Sequence, residues 1–235
     1  MERGLVPSRE RAQALVLAGR VLVNEQKVEK PGAAVTDDAK IRLLGDDLKY
    51  VSRGGLKLER ALEYWKIGVS GATCVDIGTS TGGFTDCLLQ SGATRVIAID
   101  TGYGQIDMKL RNDPRVTLLE KTNARYLKRE DLPSFEGAVA LLVMDVSFIS
   151  ATQVLPAVVG AGSPEAVVVL VKPQFEVGRE KVGKGGIVKD EGAQLAAVDK
   201  VRNTLVELGY QVAEAIDSPI LGTEGNREFL LYGRR

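Results

Sequence analysis

The stretch Val75–Asp86 constrains the fold of this chain more than any other. It has an apolar run that ends in Asp76, a loop with glycines at 78, 82 and 83, and polar residues that can begin a helix. Glycine permits a sharp turn and a close approach of backbone to a ligand. The free N–H groups of the following helix would point at the same place. The pattern therefore predicts a strand–loop–helix unit that holds a ligand at the loop.

A second apolar run ends in Asp100, about 20 residues after Gly78. At that distance an acid reaches a ribose in nucleotide-binding βαβ units. The glycine spacing is G-x-x-x-G-G and not the G-x-G-x-x-G of dinucleotide enzymes. It suits an adenosyl ligand without a pyrophosphate, and S-adenosylmethionine (SAM) is the leading candidate. The alternative is an ordinary tight turn between a strand and a helix.

Composition excludes several kinds of chemistry. The 235 residues are 44% hydrophobic and 26% charged, and 31 Lys and Arg balance 31 Asp and Glu, so net charge indicates no partner. The chain has no histidine, which excludes histidine-based triads and histidine–metal sites. Cys74 and Cys87 are expected to be reduced core residues. No apolar run approaches the roughly 20 residues of a membrane span, and no signal peptide is visible, so we expect a cytoplasmic protein without a membrane partner.

Residues 1–45 form a predicted unit of their own. Ser8 is a suitable N-cap for a helix from about Arg9 to Ala18, and three short strands follow, with turns near Asn24 and Pro31. The segment resembles the S4-like RNA-binding module, on the residues at 8–12, 19–24 and 30–32. That module usually begins some residues earlier, so we expect its first helix to be incomplete here. The alternative is a charged, solvated helix with a structural hairpin.

Residues 46–52 are the predicted linker, and residues 53–235 form the second predicted domain. There the apolar pattern alternates between strand and helix, which indicates an α/β fold with a doubly wound, mostly parallel sheet and a C-terminal antiparallel hairpin. The predicted strands are 73–77, 95–99, 116–119, 138–144, 166–171, 211–216 and 227–232. The predicted helices are 54–65, 83–91, 104–110, 150–160 and 190–208.

Four charged residues stand where ligands bind in such a sheet, just outside the carboxyl ends of strands. Asp145 and Lys172 each follow an apolar strand, Glu228 begins the last hairpin, and Lys57 lies on the helix before the first strand. An unpaired buried charge costs several kcal/mol. The four residues therefore form either two structural ion pairs or a reactive site.

At this point the chain resembles the TlyA-type, or hemolysin A, RNA methyltransferases, which join an S4-like module to a Rossmann-like, FtsJ-like 2′-O-methyltransferase domain. The resemblance covers essentially the whole chain. The family's Lys-Asp-Lys-Glu tetrad falls on Lys57, Asp145, Lys172 and Glu228. The implied SAM contacts are Asp76, Gly78, Thr79, Ser80, Gly82, Gly83, Phe84, Asp100, Asn123 and Asp145.

The resemblance implies methyl transfer from SAM to a ribose 2′-OH, with cytidines of ribosomal RNA as the expected substrate. Lys172 is the candidate for the central role, either as a neutral base or as an ammonium that stabilises the developing alkoxide. Asp145 and Glu228 would hold the lysines and the hydroxyl in line. No metal and no obligate protein partner are expected.

Basic residues supply the predicted RNA contacts, which are Arg9, Arg11, Arg20, Lys27, Arg53, Lys181 and Lys184. The last two lie in the glycine-rich segment 178–192, which we interpret as a flexible lid that faces RNA, with a merely disordered loop as the alternative.

Three other functions remain as alternatives. They are a non-catalytic, SAM-binding RNA or ribosome-assembly factor, a membrane-active hemolysin, and a base methyltransferase. The last is disfavoured because no Pro-Pro follows Asp145, as it does in amino-methylating enzymes, and because no cysteine stands where a C5-methylating nucleophile would be expected.

Overall fold

The computed structural model describes residues 3, 5–6, 9–17, 19–44, 49–134, 137–222 and 225–235. It divides into two compact units, Met1–Lys49 and Tyr50–Arg235. The predicted N-cap Ser8, the side chain of Arg11 and residues 45–48 lie outside the described part. The linker bounds of 46–52 therefore stay a prediction.

The first unit is one helix followed by a three-stranded antiparallel sheet. Its elements are α1 (Arg9–Leu17), β1 (Val21–Val23), β2 (Gln26–Val28) and β3 (Ile41–Leu43), with β1 in the centre of the sheet. Asn24 and Glu25 both have positive φ, at 50° and 64°. Two such residues between paired strands form a tight hairpin turn whose twist matches that of the strands.

The second unit alternates strands and helices, as predicted. Its strands are β4 (Thr73–Ile77), β5 (Arg95–Ile99), β6 (Val116–Leu119), β7 (Val139–Met144), β8 (Ala166–Val171), β9 (Gln211–Val212), β10 (Ile216–Asp217) and β11 (Phe229–Arg234). Its α-helices are α2 (Gly54–Tyr64), α3 (Gly83–Gln90), α4 (Met108–Arg111), α5 (Ala151–Gly162), α6 (Pro173–Glu176) and α7 (Glu191–Glu207).

The main sheet has the order β10-β11-β8-β7-β4-β5-β6, and β9 also pairs with β11. Strands β4 to β8 are parallel, and β11 runs antiparallel to β8. Strand order reverses between β4 and β7, which lie side by side although β5 and β6 come between them in sequence. In open α/β sheets, ligands bind at such a switch point, outside the carboxyl ends of the strands.

Both faces of this sheet are covered. Val167, Val169 and Val171 of β8 belong to one apolar cluster, together with residues of α5 and α7. Val168 and Leu170 belong to the other cluster, together with residues of α2 and α3. All six residues of β8 are buried. This explains the unbroken apolar run of that strand, since a parallel sheet is buried on both faces.

Two predicted elements differ in extent. The predicted helix 104–110 is the short α4, because Gly104 has a φ of +71° and the Asp107 side chain caps the helix by accepting from the Lys109 N–H at 2.9 Å. The predicted strand 211–216 is two short strands. Between the pairs Val212–Gly233 and Ile216–Leu230 the edge chain advances four residues and β11 only three. The extra residue interrupts the ladder in the manner of a β-bulge.

Asp76 is a carboxylate inside the sheet. It lies on β4 with no exposed surface, and its Oδ2 accepts a hydrogen bond from the Thr85 hydroxyl of α3 at 2.6 Å. Burial raises the pKa of Asp76 from its ordinary 3.8 to about 7, and the Thr85 hydroxyl opposes that rise. The folded protein therefore holds a proton on Asp76 at pH values where the unfolded chain has lost it.

We expect Asp76→Asn to become more stable, relative to the parent, as pH rises from about 4 to about 8. The pKa of Asp76 is raised in the folded state, so the parent loses stability as pH rises from about 4, where the unfolded chain ionises, to about 7, where the folded protein does. The amide has no such cost. The change in relative free energy of unfolding should be on the order of 2–4 kcal/mol, measured by urea denaturation.

Thr85→Val should have the opposite effect. It removes the hydroxyl that stabilises the ionised carboxylate, so its loss of stability should grow as pH rises above about 7, where the folded parent ionises Asp76. If the free energies of unfolding of Asp76→Asn and the parent differ by the same amount at pH 5 and at pH 8, the argument that burial raises the pKa of Asp76 is wrong.

Candidate functional site

Polar residues from four parallel strands meet at one edge of the sheet. Gly78 follows β4, Asp100 follows β5, Asp145 follows β7 and Lys172 follows β8. Two cavities of about 300 and 320 Å³ open at this edge. They adjoin, because Gly78, Ser80, Asp145 and Ser147 line both of them.

We call the first the tetrad cavity. Its lining includes Arg53, Lys57, Thr79, Gly83, Phe84, Lys172, Leu221 and Glu228 in addition to the shared residues. We call the second the Asp100 cavity. Its lining includes Asp100, Asn123, Phe148 and Ile149, again in addition to the shared residues.

The first ion pair of the tetrad cavity joins two distant parts of the chain. Lys57 lies in the first turn of α2, and Glu228 directly precedes β11. The Lys57 Nζ donates to Glu228 Oε2 at 2.6 Å, and the two side chains are only 10% and 3% exposed. Because the pair is so well shielded from water, removal of either partner would leave an uncompensated charge.

The second ion pair joins the ends of two neighbouring strands. The Lys172 Nζ lies 2.5 Å from Asp145 Oδ1, in an ion pair rather than a well-directed hydrogen bond, and it donates to the Ser147 hydroxyl at 2.8 Å. The side chain of Lys172 is 11% exposed and that of Asp145 is 21% exposed. The four predicted tetrad residues therefore line one cavity as two Lys–carboxylate pairs.

Two glycines allow the close packing of this edge. Gly78 has a φ of +83°, and a Cβ there would lie 2.3 Å from the Asp145 carbonyl oxygen. A Cβ on Gly83 would lie 2.4 Å from the Ser52 Oγ and 2.9 Å from the Gly55 nitrogen. Any side chain at these positions would push the glycine loop away from the end of β7 or from the start of α2.

Asp100 organises the second cavity. Its Oδ2 accepts from the Ser80 N–H at 2.7 Å, and its Oδ1 accepts from the Gly102 N–H at 2.6 Å. Asn123 lies across the cavity, where its side chain accepts from the Arg125 N–H at 3.1 Å. The apolar part of the cavity wall is formed by Ile99, Ile149 and Val154. The cavity therefore combines a carboxylate and an amide with an apolar surface, which is the usual composition of a small-molecule site.

Two of the predicted cofactor contacts line neither cavity. Asp76 is buried on β4, and Gly82 lies where a Cβ would meet the Leu110 side chain at 2.3 Å. Both residues pack behind the glycine loop and help to fix its conformation. The other predicted contacts, which are Gly78, Thr79, Ser80, Gly83, Phe84, Asp100, Asn123 and Asp145, line one cavity or both.

The predicted RNA contacts have different surroundings. Arg53 lines the tetrad cavity, whereas Arg9, Lys27, Lys181 and Lys184 are exposed. In the first unit, Lys27 lies 3.7 Å from Glu29, and the Arg20 Nε donates to the Leu44 carbonyl at 2.7 Å.

The glycine-rich segment 178–192 is better anchored than a flexible lid would be. The Asn226 side chain accepts from the Val188 N–H at 3.0 Å and donates to the Gly186 carbonyl at 2.8 Å. Two 3-10 turns, Arg179–Lys181 and Lys184–Gly186, shape the rest of it. The segment is therefore packed beside the start of β11, and its exposed lysines extend from backbone that Asn226 holds in place.

Three residues stand out among those that sequence reasoning missed at the site. Ser147 contacts Lys172, and Leu221 lines the tetrad cavity while being 58% exposed. Phe148 is 92% exposed and has a φ of +65°, and its ring centre lies 5.4 Å from that of Phe175. Their positions just after β7 could have identified Ser147 and Phe148. Leu221 carries no such signal, because its loop joins the site only through the packing of β11.

Two features are absent from the part of the chain that the structure describes. No group of three or more Cys, Asp or Glu side chains there is arranged to hold a metal ion. No helix among those residues is both long enough and apolar enough to cross a membrane.

Comparisons with known proteins agree with this architecture. Residues 50–235 match the model of the FtsJ-like methyltransferases, and residues 2–41 match the S4 domain. The 16S/23S rRNA (cytidine-2′-O)-methyltransferase TlyA of Mycobacterium tuberculosis is 46% identical over all of this chain and 87% of its own length. Hemolysin A of Brachyspira hyodysenteriae is 40% identical over 97% of this chain and 95% of its own length.

Among solved structures, a protein from Streptococcus thermophilus that carries a hemolysin description is similar over the whole chain. It is 42% identical, covers 100% of this chain and 85% of its own, and has a TM-score of 0.78. The resemblance drawn from the sequence is thus confirmed. The chain belongs to the TlyA and hemolysin A family of FtsJ-like methyltransferases, with an S4 domain at its N-terminus.

Proposed function

We propose that this chain is a SAM-dependent 2′-O-methyltransferase that acts on cytidines of ribosomal RNA. The observation that carries the proposal is the pair of Lys–carboxylate contacts in the tetrad cavity, next to a second cavity built around Asp100. The similarity to an enzyme named for that reaction supports the choice of substrate. An enzyme that modifies ribosomes meets its substrate in the cytoplasm.

The Asp100 cavity has the donor set that an adenosyl group needs. Asp100 would accept from the ribose hydroxyls, Asn123 would lie beside the adenine, and Ile99 and Ile149 would contact its apolar faces. Gly78 and Ser80 line both cavities and would hold the part of the cofactor between them. When bound, SAM supplies an electrophilic methyl group on a sulfonium sulfur.

The tetrad residues would act on the ribose hydroxyl. A hydroxyl is a weak nucleophile, so the site must take up its proton or stabilise the charge that develops on its oxygen. An ammonium that is ion-paired with a carboxylate is stabilised in its charged form, which favours the second role for Lys172. Asp145 is the carboxylate nearest to Lys172 and can accept the hydroxyl proton. The pair Lys57–Glu228 would fix the opposite wall of the cavity.

RNA would be held through charge and stacking. Arg9, Lys27, Lys181 and Lys184 are exposed cations that can contact phosphates. Phe148 lines the Asp100 cavity directly after Ser147, which lines both cavities, and it is 92% exposed in a backbone conformation that non-glycine residues seldom adopt. A strained, exposed aromatic residue at that place suits stacking on the base of the target nucleotide.

We expect Lys172→Ala to lower the single-turnover rate of methyl transfer to ribosomal RNA by roughly 10²- to 10⁴-fold. Lys172→Arg should be at least ten-fold faster than the alanine variant, because arginine keeps the positive charge although it cannot serve as a base. Lys128→Ala, which changes an exposed lysine outside both cavities, is the control. If Lys172→Ala keeps the full rate, Lys172 does not act in the reaction. If Lys172→Arg is as slow as Lys172→Ala, Lys172 does not act through its positive charge.

We expect Asp100→Asn to weaken SAM binding by roughly 10- to 100-fold, since hydrogen bonds to charged groups contribute about 1.5–3 kcal/mol. Calorimetry would measure the Kd, and the reaction rate should recover at saturating SAM. Glu120→Gln is the matched control, because Glu120 follows the next strand, β6, and lines neither cavity. An unchanged Kd for Asp100→Asn would exclude Asp100 as the ribose acid.

We expect Phe148→Ala to raise the RNA concentration for half-maximal rate, or to slow methyl transfer, by roughly ten-fold or more, since base stacking contributes about 1–3 kcal/mol. Phe148→Trp should stay close to the parent. Because Phe148 also lines the Asp100 cavity, the Kd for SAM is measured in both variants, and the effect on RNA should persist at saturating SAM. If Phe148→Ala methylates RNA like the parent, Phe148 has no role in stacking.

A further inference from the structure

Glu176 is a buried carboxylate that the proposed reaction does not use directly. It ends α6, the single helical turn that begins right after Lys172, and its side chain is only 2% exposed. It lines neither of the two cavities. Burial of a charge requires partners, and the partners of Glu176 come from two other elements, α5 and α7.

Both oxygens of Glu176 bind the start of α5. Its Oε1 accepts from the Ala151 N–H at 2.6 Å, and its Oε2 accepts from the Ser150 hydroxyl. The Ser150 side chain does not cap the helix itself. The carboxylate thus satisfies the helix N-terminus, where the macrodipole favours negative charge.

Lys200 of α7 completes the cluster. Its Nζ donates to the Glu176 carbonyl at 3.0 Å and lies 3.3 Å from Glu176 Oε2 and 3.3 Å from the Ser150 Oγ. We call Ser150, Glu176 and Lys200 the clamp. It fastens the end of α6 to the start of α5 and to the middle of α7.

The clamp lies at the far ends of the two segments that begin with Asp145 and Lys172. Glu176 stands four positions after Lys172, and Ser150 stands five positions after Asp145. The same two segments meet at the Lys172–Asp145 contact of 2.5 Å and at the contact of the Phe148 and Phe175 rings. Two short segments joined at both ends have little freedom to slide past each other.

We infer that Glu176 is a positioning residue for methyl transfer, which acts by fixing Lys172 against Asp145 and Ser147. This inference rests on the proposed function, because it assigns Glu176 a role in that same reaction. Small misplacements of a reacting group can cost a factor of about 10² in rate. The clamp should therefore affect the chemical step more than the binding of SAM or RNA.

The test uses the full chain with Glu176→Gln. Glutamine has similar shape but offers one acceptor oxygen and no charge, so it cannot bind Ala151, Ser150 and Lys200 together. We expect the single-turnover rate at saturating SAM and RNA to fall by roughly ten-fold or more. The concentrations for half-maximal rate should stay within about three-fold. General loss of folded protein would lower the amplitude of the single turnover but not its rate constant, so a lower rate constant reports on the chemical step. A folded Glu176→Gln with a rate within two-fold of the parent would overturn the inference.

Tyr210→Phe is the matched control for loss of stability. It removes a buried hydrogen bond from the Tyr210 hydroxyl to the Pro164 carbonyl, 2.8 Å long, near the amino end of β8 and thus away from Lys172. Its rate should match that of the parent. If Tyr210→Phe slows the reaction as much as Glu176→Gln does, the effect is one of stability alone and the inference fails.

Two further measurements cover the remaining outcomes. If Glu176→Gln does not fold, Ser150→Ala should slow the reaction and Ser150→Thr, which keeps the hydroxyl, should restore it; equal rates in the two would overturn the inference. Acetylation of Lys172 by acetic anhydride can be followed by mass spectrometry without any substrate. It should rise several-fold in Glu176→Gln or Ser150→Ala relative to the parent. Unchanged labelling would overturn the inference, whereas an inactive parent protein would refute only the proposed reaction.

Discussion

Two shielded Lys–carboxylate pairs at the carboxyl edge of the sheet are the constraint on which the site depends. Taking a charge out of water is costly, and the attraction within a pair repays that cost only when both partners are in place. Lys57–Glu228 joins the helix before the first strand of the sheet to the last strand. Lys172–Asp145 joins two adjacent strands in the middle. Folding of the second unit and assembly of the site are thus the same event.

The glycine loop fills a different role from that of the ion pairs. Gly78 brings the end of β4 against the Asp145 carbonyl, so that the loop and the second ion pair become neighbours. Asp100 then holds the loop through the Ser80 N–H. These contacts place the Asp100 cavity directly beside the tetrad cavity. Backbone atoms of the glycine loop form part of the wall that the two cavities share.

The buried carboxylates of the second unit have distinct environments. Asp76 accepts a hydrogen bond from the Thr85 hydroxyl inside the sheet, and burial raises its pKa to about 7. Glu176 sits at a helix N-terminus with a lysine and a hydroxyl as partners. The first carboxylate makes stability depend on pH, and the second fastens two segments together. Their residue type alone does not distinguish them.

The sequence by itself determined the fold class, the order of the strands along the chain and twelve of the 29 residues that line the two cavities. It could do so because apolar periods and glycine spacing are local, and because parallel strands bring their carboxyl ends to one edge. Lys57, Asp145, Lys172 and Glu228 were predictable for that reason and by resemblance. The tertiary structure decided how those four residues pair. It also placed Asp76 and Gly82 behind the glycine loop rather than in a cavity, and it anchored segment 178–192 through Asn226. Leu221 and Glu176 came close to the site in the same way. These facts depend on contacts between residues far apart in sequence, which no local pattern records.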